Sequence, residues 1–338
     1  MMESWLADRY LAAPFWAPGR LVQPVLGWYL DALTRLQLLV YRSAAEQPPT
    51  EEIAALSGEL MDTHYDQPRE LFEHFLGGVM KYSMGLWEKG ARTLEESQRQ
   101  MMDDVCVKAQ LQDGQHVLDI GCGFGAFAAH VLERYPHARV TGLSLSKVQC
   151  DYMREKQNTP GHVLHTDRFR LIEGDFNTVQ LNERFDRVVS LGVFEHVSNL
   201  ARGLEAVRGL MTDEALCFLH YIVYRRPLHR VPPRPPEKNF IHRYIFPGGR
   251  VWFDEELYKH DQALTVEKYW FLNGMNYRRT LEAWLDNFHA NLPSLRQTGK
   301  LEEHVLKVWD LYLRICVAVF ASGGGRWYGN GQYLLRPS

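Results

Sequence analysis

The chain has 338 residues, a length that suggests about two domains or one domain with appendages. Its 46% hydrophobic, 12% aromatic and 23% charged residues are typical of a globular protein with a large core and exclude global disorder or a fibrous repeat. With 38 Lys and Arg against 41 Asp and Glu, the net charge is −3. The chain therefore lacks the positive field that holds nucleic acid, and no nucleic-acid partner is expected.

The cysteine pattern and the N-terminus indicate a cytoplasmic protein. The five cysteines are scattered, without a CxxC pair that would predict a metal site or a redox dithiol. Charged residues such as Asp8 and Arg9 distinguish the N-terminus from a secretory signal. The apolar stretch 21–41 contains Asp31 and Arg35, so it falls short of the roughly 20 apolar residues of a membrane-spanning helix. We expect no bound metal.

The N-terminal region, residues 1–92, is predicted to be helical. Apolar residues between positions 22 and 40 recur at three- and four-residue spacings, as on one face of an amphipathic helix. We expect this face to pack on the rest of the protein. It could instead lie on a membrane surface with Trp5 and Trp28 among its anchors, so the sequence leaves open peripheral membrane contact and also a homodimer.

From residue 93 the pattern changes to alternating strands and helices. The sequence Thr-Leu-Glu-Glu from Thr93 to Glu96 is typical of a helix start. Short apolar runs then alternate with segments long enough for helices; after the strand beginning near residue 116, these runs are 139–145, 170–172, 187–191 and 215–223. This rhythm predicts a doubly wound, mostly parallel α/β sheet within a domain that spans residues 93–338.

A proline-rich, basic segment interrupts this rhythm. Residues 225–239 contain five prolines, which exclude a helix or a central strand. Residues 225–243 also contain six Lys and Arg residues opposed by Glu237. The segment could hold a phosphate or carboxylate at the mouth of a pocket, or it could be a solvated connection, and both readings stay open.

A glycine-rich turn predicts a cofactor site. Residues 117–125 read VLDIGCGFG, a buried strand that ends in an acid, Asp119, followed by glycines that include Gly121 and Gly123. Glycines at this spacing let the backbone turn tightly and approach a ligand closely, although such turns also join strands to helices for steric reasons alone. The DxGxGxG form resembles the first motif of Rossmann-like S-adenosylmethionine methyltransferases.

Longer segments narrow this resemblance. They are HYDQPRELFEHFLGGVMKYSMGLW (64–87), LSLSKVQ (143–149), SLGVFEHV (190–197), FLHYIV (218–223), FIHRYIFPGG (240–249) and NYRRTLEAWLDNF (276–288). In this order they resemble the cyclopropane-fatty-acyl-phospholipid synthases and their relatives, the mycolic acid methyltransferases and the coclaurine-type N-methyltransferases. The resemblance implies a Rossmann-like class I methyltransferase fold with a helical N-terminal region and an inserted cap over about 224–290.

The same resemblance implies the cofactor contacts. Tyr82 and Ser83 would cover the methionine end of S-adenosylmethionine, while Gly121 and Gly123, next to Asp119, would pass under it. The ribose and adenine sides are assigned to Ser144, Leu145, Gln149, Gly174 and Asp175. Without the surrounding motif, Ser144 and Gln149 would be read as ordinary helix-capping and surface residues.

A second set implied by the resemblance would perform catalysis. Glu195, His220, Ile222 and Tyr277 fall where the cyclopropane-forming enzymes bind a bicarbonate ion that acts as a base. A base in a dry pocket can remove a proton from the new methyl group as a ring closes. The imidazole, the phenol and the Ile222 amide can hydrogen-bond an oxyanion, and Glu195 can accept from a protonated bicarbonate. Without the family match, His220 and Tyr277 would be read as structural residues.

Three departures from the family pattern bear on the acceptor. Met84 replaces the usual cysteine, which puts ring closure in doubt and leaves the use of bicarbonate open. Gly192 stands where the N-methyltransferases carry an acid, as in the lipid enzymes. In contrast, residues 271–274 and the short region before the family match resemble the N-methyltransferase branch.

The sequence therefore favours a lipid acceptor and leaves two alternatives. We expect methyl transfer to an unsaturated acyl chain, giving a cyclopropane or a methyl branch beneath the cap. The alternatives are N-methylation of a small-molecule amine and a cofactor-binding module without catalysis. His196 could carry protons near neutral pH, but we expect it to orient a loop or to face solvent.

Overall fold

The computed structural model describes residues 8–12, 25, 28, 50–55, 57–225 and 240–338. Most of the helix predicted over 22–40 and most of the basic segment 225–243 lie outside these ranges. No helix within the described ranges is long and apolar enough to cross a membrane. The cytoplasmic location and the homodimer stay predictions.

One mixed sheet organises the described residues. Its strands are β1 (His116–Ile120), β2 (Arg139–Ser144), β3 (Phe169–Glu173), β4 (Phe185–Leu191), β5 (Met211–Tyr224), β6 (Trp252–Phe253), β7 (Leu264–Asn273) and β8 (Tyr328–Pro337). The order is β3-β2-β1-β4-β5-β8-β7, and the short β6 pairs with β5. β8 runs antiparallel to both of its neighbours, and the other pairs are parallel. The mostly parallel sheet expected from the sequence is confirmed.

Helices connect these strands and cover the sheet. They are α1 (Ser57–Leu60), which continues into a π-helical turn (Met61–Tyr65), α2 (Arg69–Leu76), α3 (Leu94–Lys108), α4 (Ala126–Arg134), α5 (Lys147–Gln157), α6 (Leu200–Gly209), α7 (Phe240–Tyr244), α8 (Gly274–Gln297) and α9 (Glu303–Ala321). The helix start predicted at Thr93 is confirmed. Its hydroxyl accepts the Glu96 N–H, while the Glu96 carboxylate accepts the Thr93 N–H, which satisfies two backbone donors at the start of α3.

An aromatic core joins the N-terminal helix α2 to the two long helices that precede β8. α8 packs against both α9 and α2. Phe72 and Phe75 of α2 lie in one buried cluster with Trp284 of α8 and Trp309 of α9, and burial of such rings contributes on the order of 2 kcal/mol each. This packing holds α2, α8 and α9 together as one layer on the sheet, next to the carboxyl end of β5.

The segment predicted as a cap, about 224–290, is divided in the structure. Residues 264–273 form β7 in the sheet, and residues from 274 onward belong to α8. The described part of the insertion before β7 contributes α7 and β6, while α8 and α9 come after it. The domain boundaries at 92 and 93 and the limits of the cap stay predictions.

Candidate active site

The carboxyl ends of the parallel strands meet at one edge of the sheet, which is where open α/β sheets form their ligand crevices. A cleft of about 1100 Å³, including its solvent-filled mouth, lies at this edge. The structure brings all ten residues predicted to bind the cofactor into its lining: Tyr82, Ser83, Asp119, Gly121, Gly123, Ser144, Leu145, Gln149, Gly174 and Asp175. Their individual contacts with a cofactor stay predictions.

The two glycines after β1 serve different purposes. Gly121 has φ +72°, and a Cβ there would come within 2.1 Å of Val193 Cγ2. Gly123 has φ +57°, and a Cβ there would meet no described atom within 4 Å. Gly121 is thus required by the packing of the protein itself, whereas Gly123 keeps the floor of the cleft open for a ligand.

Asp119 is the buried acid beneath this turn. Its side chain is 1% exposed, and its Oδ2 has no hydrogen-bond partner among the described residues. Burial raises the pKa of Asp119 to about 7. A buried acceptor without a partner carries a free-energy cost of about 1–3 kcal/mol, so a cationic or N–H group of a ligand in the cleft would be favoured there.

The side of the cleft that the resemblance assigns to the ribose and adenine is held by internal hydrogen bonds. The Ser144 hydroxyl donates to Gln149 Oε1 at 3.0 Å. The Asp175 carboxylate accepts the Ser57 hydroxyl at 2.9 Å and the Asn177 N–H at 2.8 Å. Asp175 therefore anchors helix α1 at the cleft, in addition to lining it.

A second cavity, of about 1060 Å³ with its mouth, adjoins the cleft. Five described residues line both spaces: Tyr65, Tyr82, Ser83, Gly192 and His196. Much of the remaining wall is aromatic, with Phe246, Tyr277, Tyr312, Phe320 and Tyr328. The two spaces meet at the shared residues, so a group held in the cleft can reach a molecule in this second space, which we call the acceptor cavity.

Glu195 is the acid of the acceptor cavity. Its Oε1 accepts the Ile222 N–H at 2.8 Å, whereas its Oε2 is buried without a partner in the described part of the chain. Burial raises the pKa of Glu195 to about 7. Burial and then the charge of Glu195 raise the pKa of Tyr277, which also lines the cavity. Near neutral pH the carboxyl group can therefore take up or release a proton.

His220 is not part of the cavity wall described here. Its buried ring lies behind Asn330, whose amide group is 3.0 Å from Nε2, while the Gln332 amide is 3.2 Å from Nδ1. Burial, and then the charges of Lys81 and Lys108, lower the pKa of His220 well below its usual range. The ring is thus neutral and already bonded on both nitrogens.

Lys108 fixes which His220 nitrogen carries the proton. Its ammonium group donates to Gln332 Oε1, so Gln332 offers its NH₂ group to Nδ1, and the ring proton lies on Nε2. In the structure, Asn330 Nδ2 lies 3.0 Å from Nε2, and Asn330 Oδ1 has no partner among the described residues. Because Nε2–H requires an acceptor, we assign the opposite orientation of this amide, with its oxygen toward the ring. The Asn330 NH₂ group then faces the acceptor cavity, which Asn330 lines.

Met84, in place of the family cysteine, does not extend a polar group into either space. Its side chain is fully buried in the core cluster that contains Val189 and Phe218. Its carbonyl accepts the Lys81 ammonium at 2.7 Å, and Lys81 also donates to Ser83 Oγ at 2.6 Å. Burial lowers the pKa of Lys81 to about 7. This lysine holds Ser83 at the junction of the two spaces.

His196 lies at the junction rather than at the open surface, which corrects the expectation that it faces solvent. Its Nε2 is 2.8 Å from the Tyr65 hydroxyl, and its Nδ1 is buried with no partner among residues the structure describes. Burial lowers the pKa of His196 to about 4. The ring is neutral at pH 7, with a free ring nitrogen.

Sequence reasoning missed Lys81, Asn330 and Arg250 as site residues. Lys81 and Arg250 could have been noticed as cations inside or directly after matched apolar segments. Asn330 carries no comparable signal, because its position depends on the pairing of β8 with β5.

A family model described as mycolic acid cyclopropane synthetase matches residues 56–326. The (S)-coclaurine N-methyltransferase of Papaver somniferum is 29% identical over 79% of this chain and 76% of its own length. The cyclopropane-fatty-acyl-phospholipid synthase of Escherichia coli (strain K12) is 30% identical over 76% of this chain and 63% of its own length. The crystal structure of a coclaurine N-methyltransferase bound to N-methylheliamine and SAH has a TM-score of 0.85 at 24% identity, covering 99% of this chain and 100% of that one.

Gly123→Ala should weaken cofactor binding while the fold is kept. The added methyl group would enter the space through which a cofactor must pass, so we expect a loss of about tenfold or more in affinity for S-adenosylmethionine, measured by equilibrium dialysis with labelled cofactor. Gly161→Ala is the matched control, since Gly161 is exposed, has φ +83° and meets no described atom within 4 Å. Equal losses in both variants would assign the effect to backbone strain and contradict the prediction.

Glu195→Gln should change how stability depends on pH. Because burial raises the pKa of Glu195 from 4.5 to about 7, the folded protein keeps a proton that the unfolded chain releases, and the native state loses stability as pH rises through this range. The free energy of unfolding of the wild type should therefore fall relative to the variant between about pH 4.5 and 7. Denaturant titrations measure this difference, and Glu205→Gln, an exposed change on α6, should show none. Parallel curves for wild type and Glu195→Gln would be evidence against the buried, raised pKa.

Proposed function

Because the chain belongs to the mycolic acid cyclopropane synthetase family of S-adenosylmethionine-dependent methyltransferases, we propose that it methylates the nitrogen of a small-molecule amine. One observation carries this proposal. The acceptor cavity presents the buried proton acceptor Glu195 Oε2, which has no partner among the described residues. His196 Nδ1 is likewise buried without a described partner, and it is a second acceptor when Nε2–H donates to the Tyr65 hydroxyl. An amine needs such acceptors beside the methyl donor, because its lone pair is available only after a proton leaves.

The cleft fits the cofactor of the family. When bound, S-adenosylmethionine supplies an electrophilic methyl group. The free Asp119 carboxylate oxygen is suited to the ammonium group of the methionine end, and the space above Gly123 admits a closely packed ligand. Lys81 holds Ser83, which lines both spaces, so the wall at the point of transfer is rigid.

Glu195 and His196 have different roles toward the acceptor amine. Glu195, with its pKa of about 7, is the stronger proton acceptor and takes the proton from the ammonium nitrogen. His196 is neutral and is held through its bond with Tyr65. In the tautomer in which Nε2–H donates to the Tyr65 hydroxyl, Nδ1 accepts a hydrogen bond that orients the remaining N–H of the amine. The cavity thus prepares a free lone pair while excluding water from it.

The aromatic wall also suits an amine. Tyr65 and Tyr82 line the junction itself, and Tyr277 and Phe320 lie together in the cavity with ring centroids 4.4 Å apart. Faces of aromatic rings stabilise a cation by about 0.5–2 kcal/mol, more when water is excluded. A methylated, more substituted ammonium product would gain this interaction, as would an aromatic body attached to the nitrogen.

Two of the three donors of the expected bicarbonate site, the Ile222 amide and His220, are otherwise engaged. The Ile222 N–H is bonded to Glu195, and His220 lies behind Asn330 with both ring nitrogens bonded. Met84 places its thioether in the core. These observations support the amine over an alkene that requires a bicarbonate base.

Methylation of an unsaturated acyl chain is the second candidate. Gly192, at the junction, supplies no acid there, and aliphatic side chains such as Ile241, Val251, Leu281 and Ile315 form part of the cavity wall. In that case Glu195 and Tyr277 would hold bicarbonate, with Asn330 as a further donor. A cofactor-binding module without catalysis is disfavoured, because free buried acceptors serve no purpose in a purely structural wall.

A single experiment separates the candidates. The purified protein is incubated with labelled S-adenosylmethionine and either phenethylamine and tetrahydroisoquinoline or vesicles of unsaturated phospholipid, with and without added bicarbonate. We expect label in the amines, independent of bicarbonate. A gain of one CH₂ on acyl chains with unmodified amines would overturn the proposal, and turnover that requires bicarbonate would point to the same conclusion.

The pH dependence of amine methylation should follow the ionisation of the Glu195 carboxyl group. We expect kcat/KM to rise with pH through about 7, as the carboxyl group loses its proton. Glu195→Gln should remove this rise and lower kcat by about 100-fold or more, while affinity for S-adenosylmethionine changes little. Glu205→Gln again serves as the exposed control. A full pH profile retained in Glu195→Gln would exclude Glu195 as the base.

A further inference from the structure

Arg250 is a buried cation in the wall of the acceptor cavity. Its side chain is 8% exposed, and it directly follows the matched segment that ends at Gly249. Its backbone N–H donates to the Glu195 carbonyl at 2.7 Å, which places Arg250 beside the catalytic acid. Its guanidinium nitrogens Nε and Nη1 are buried, and the described residues offer neither of them a hydrogen-bond partner.

Two other buried cations among the described residues, Arg187 and Arg314, are hydrogen-bonded. Arg187 donates to the carbonyls of Ala109 and Gln110, and Arg314 pairs with Asp310 at 3.0 Å. Glu195 does not neutralise Arg250, because its Oε1 is bonded to Ile222 and its Oε2 is free within the described ranges. A buried guanidinium without an anion has a large desolvation cost, which a ligand could remove by supplying the anion.

We propose that Arg250 binds an anionic group, a carboxylate or a phosphate, that the methyl acceptor carries. Guanidinium groups match the planar geometry of carboxylate and phosphate oxygens and form charge-assisted hydrogen bonds with them. The inference rests on the proposed function, since it takes this cavity as the acceptor site, and it adds an acidic group to the acceptor. Arg250 lines the acceptor cavity and not the cofactor cleft, so the carboxylate of the cofactor is not its partner.

Ligands that share a phenylbutyl body and differ in their terminal group, two anionic and one neutral, test this inference. The probes are 4-phenylbutanoate, 4-phenylbutyl phosphate and 4-phenylbutanol, and binding is measured by isothermal titration calorimetry at pH 7. The wild type should bind at least one of the anions about tenfold or more tightly than the alcohol. The preferred anion identifies the acidic group as carboxylate or phosphate.

Variants assign the preference to Arg250. Arg250→Met should abolish it, and Arg250→Lys should keep part of it, because lysine retains the charge but not the planar fork. Arg243→Met is the control, since Arg243 lies in the same inserted segment, is half exposed and lies 3.6 Å from Asp8. Equal loss in Arg243→Met would indicate a general electrostatic effect and overturn the proposal.

The stability of Arg250→Met gives an independent readout. The Arg250 guanidinium lies over the Trp252 ring, 5.9 Å from its centroid, and has no anion among the described residues. Without ligand, replacing this buried charge by an apolar side chain of similar length should leave the melting temperature unchanged or raise it. A lower melting temperature together with an unchanged preference for the anions would assign Arg250 a structural role and contradict the inference.

Three further outcomes distinguish the possible failures. Hydrogencarbonate that binds the wild type but not Arg250→Met, with no preference for the phenylbutyl anions, would place a separate ion at Arg250 and overturn the acceptor assignment. Methylation of amines that carry no acidic group, with no preference for the anionic probes, would contradict the anion subsite at Arg250 and leave the proposed function intact. An anion preference without amine methylation would support the subsite and contradict the proposed function.

Discussion

The hydrogen bond from the Ile222 N–H to Glu195 Oε1 ties the sheet to the acceptor cavity. β4 ends at Leu191, and the Gly192 N–H makes one more bond, to the His220 carbonyl. The next β5 amide that faces β4 is that of Ile222, and it donates to the Glu195 side chain instead of to a backbone carbonyl of β4. The end of the ladder thus fixes the carboxyl group, and loss of this acceptor would leave a buried N–H at a cost of about 1–3 kcal/mol.

The site concentrates buried polar groups whose bonding capacity is not filled by the described residues. Asp119 lies in the cofactor cleft, His196 at the junction, and Glu195 and Arg250 in the acceptor cavity. Native proteins rarely leave such groups, because each one lowers the stability of the fold. Packing elsewhere must offset this cost, and the aromatic cluster of α2, α8 and α9 supplies a large apolar area close to the site.

The sequence allowed the sheet and the cofactor cleft to be predicted, because both depend on local patterns. The glycine turn after Asp119 occupies one short segment, and each apolar run is recognised from a few consecutive residues. The order of residues at the acceptor cavity depends on pairing between distant strands. His220 and Ile222 are two residues apart on β5, about 7 Å along the strand, and β8 places Gln332 opposite the first and Asn330 opposite the second. That register places Asn330 between the His220 imidazole and the acceptor cavity. The pattern of residues along β5 or β8 alone does not predict this position, because it depends on how the two strands pair.

The charges of the acceptor cavity constrain the acceptor further than its shape does. When Glu195 is ionised, a negative carboxylate and the positive Arg250 belong to one wall and are not paired with each other in the described structure. A neutral, purely apolar molecule would leave both charges desolvated, and a simple ammonium or a simple anion would compensate only one of them. A molecule with an amine at one end and an acidic group at the other satisfies both charges, so the two proposals made from separate residues converge on a zwitterionic acceptor.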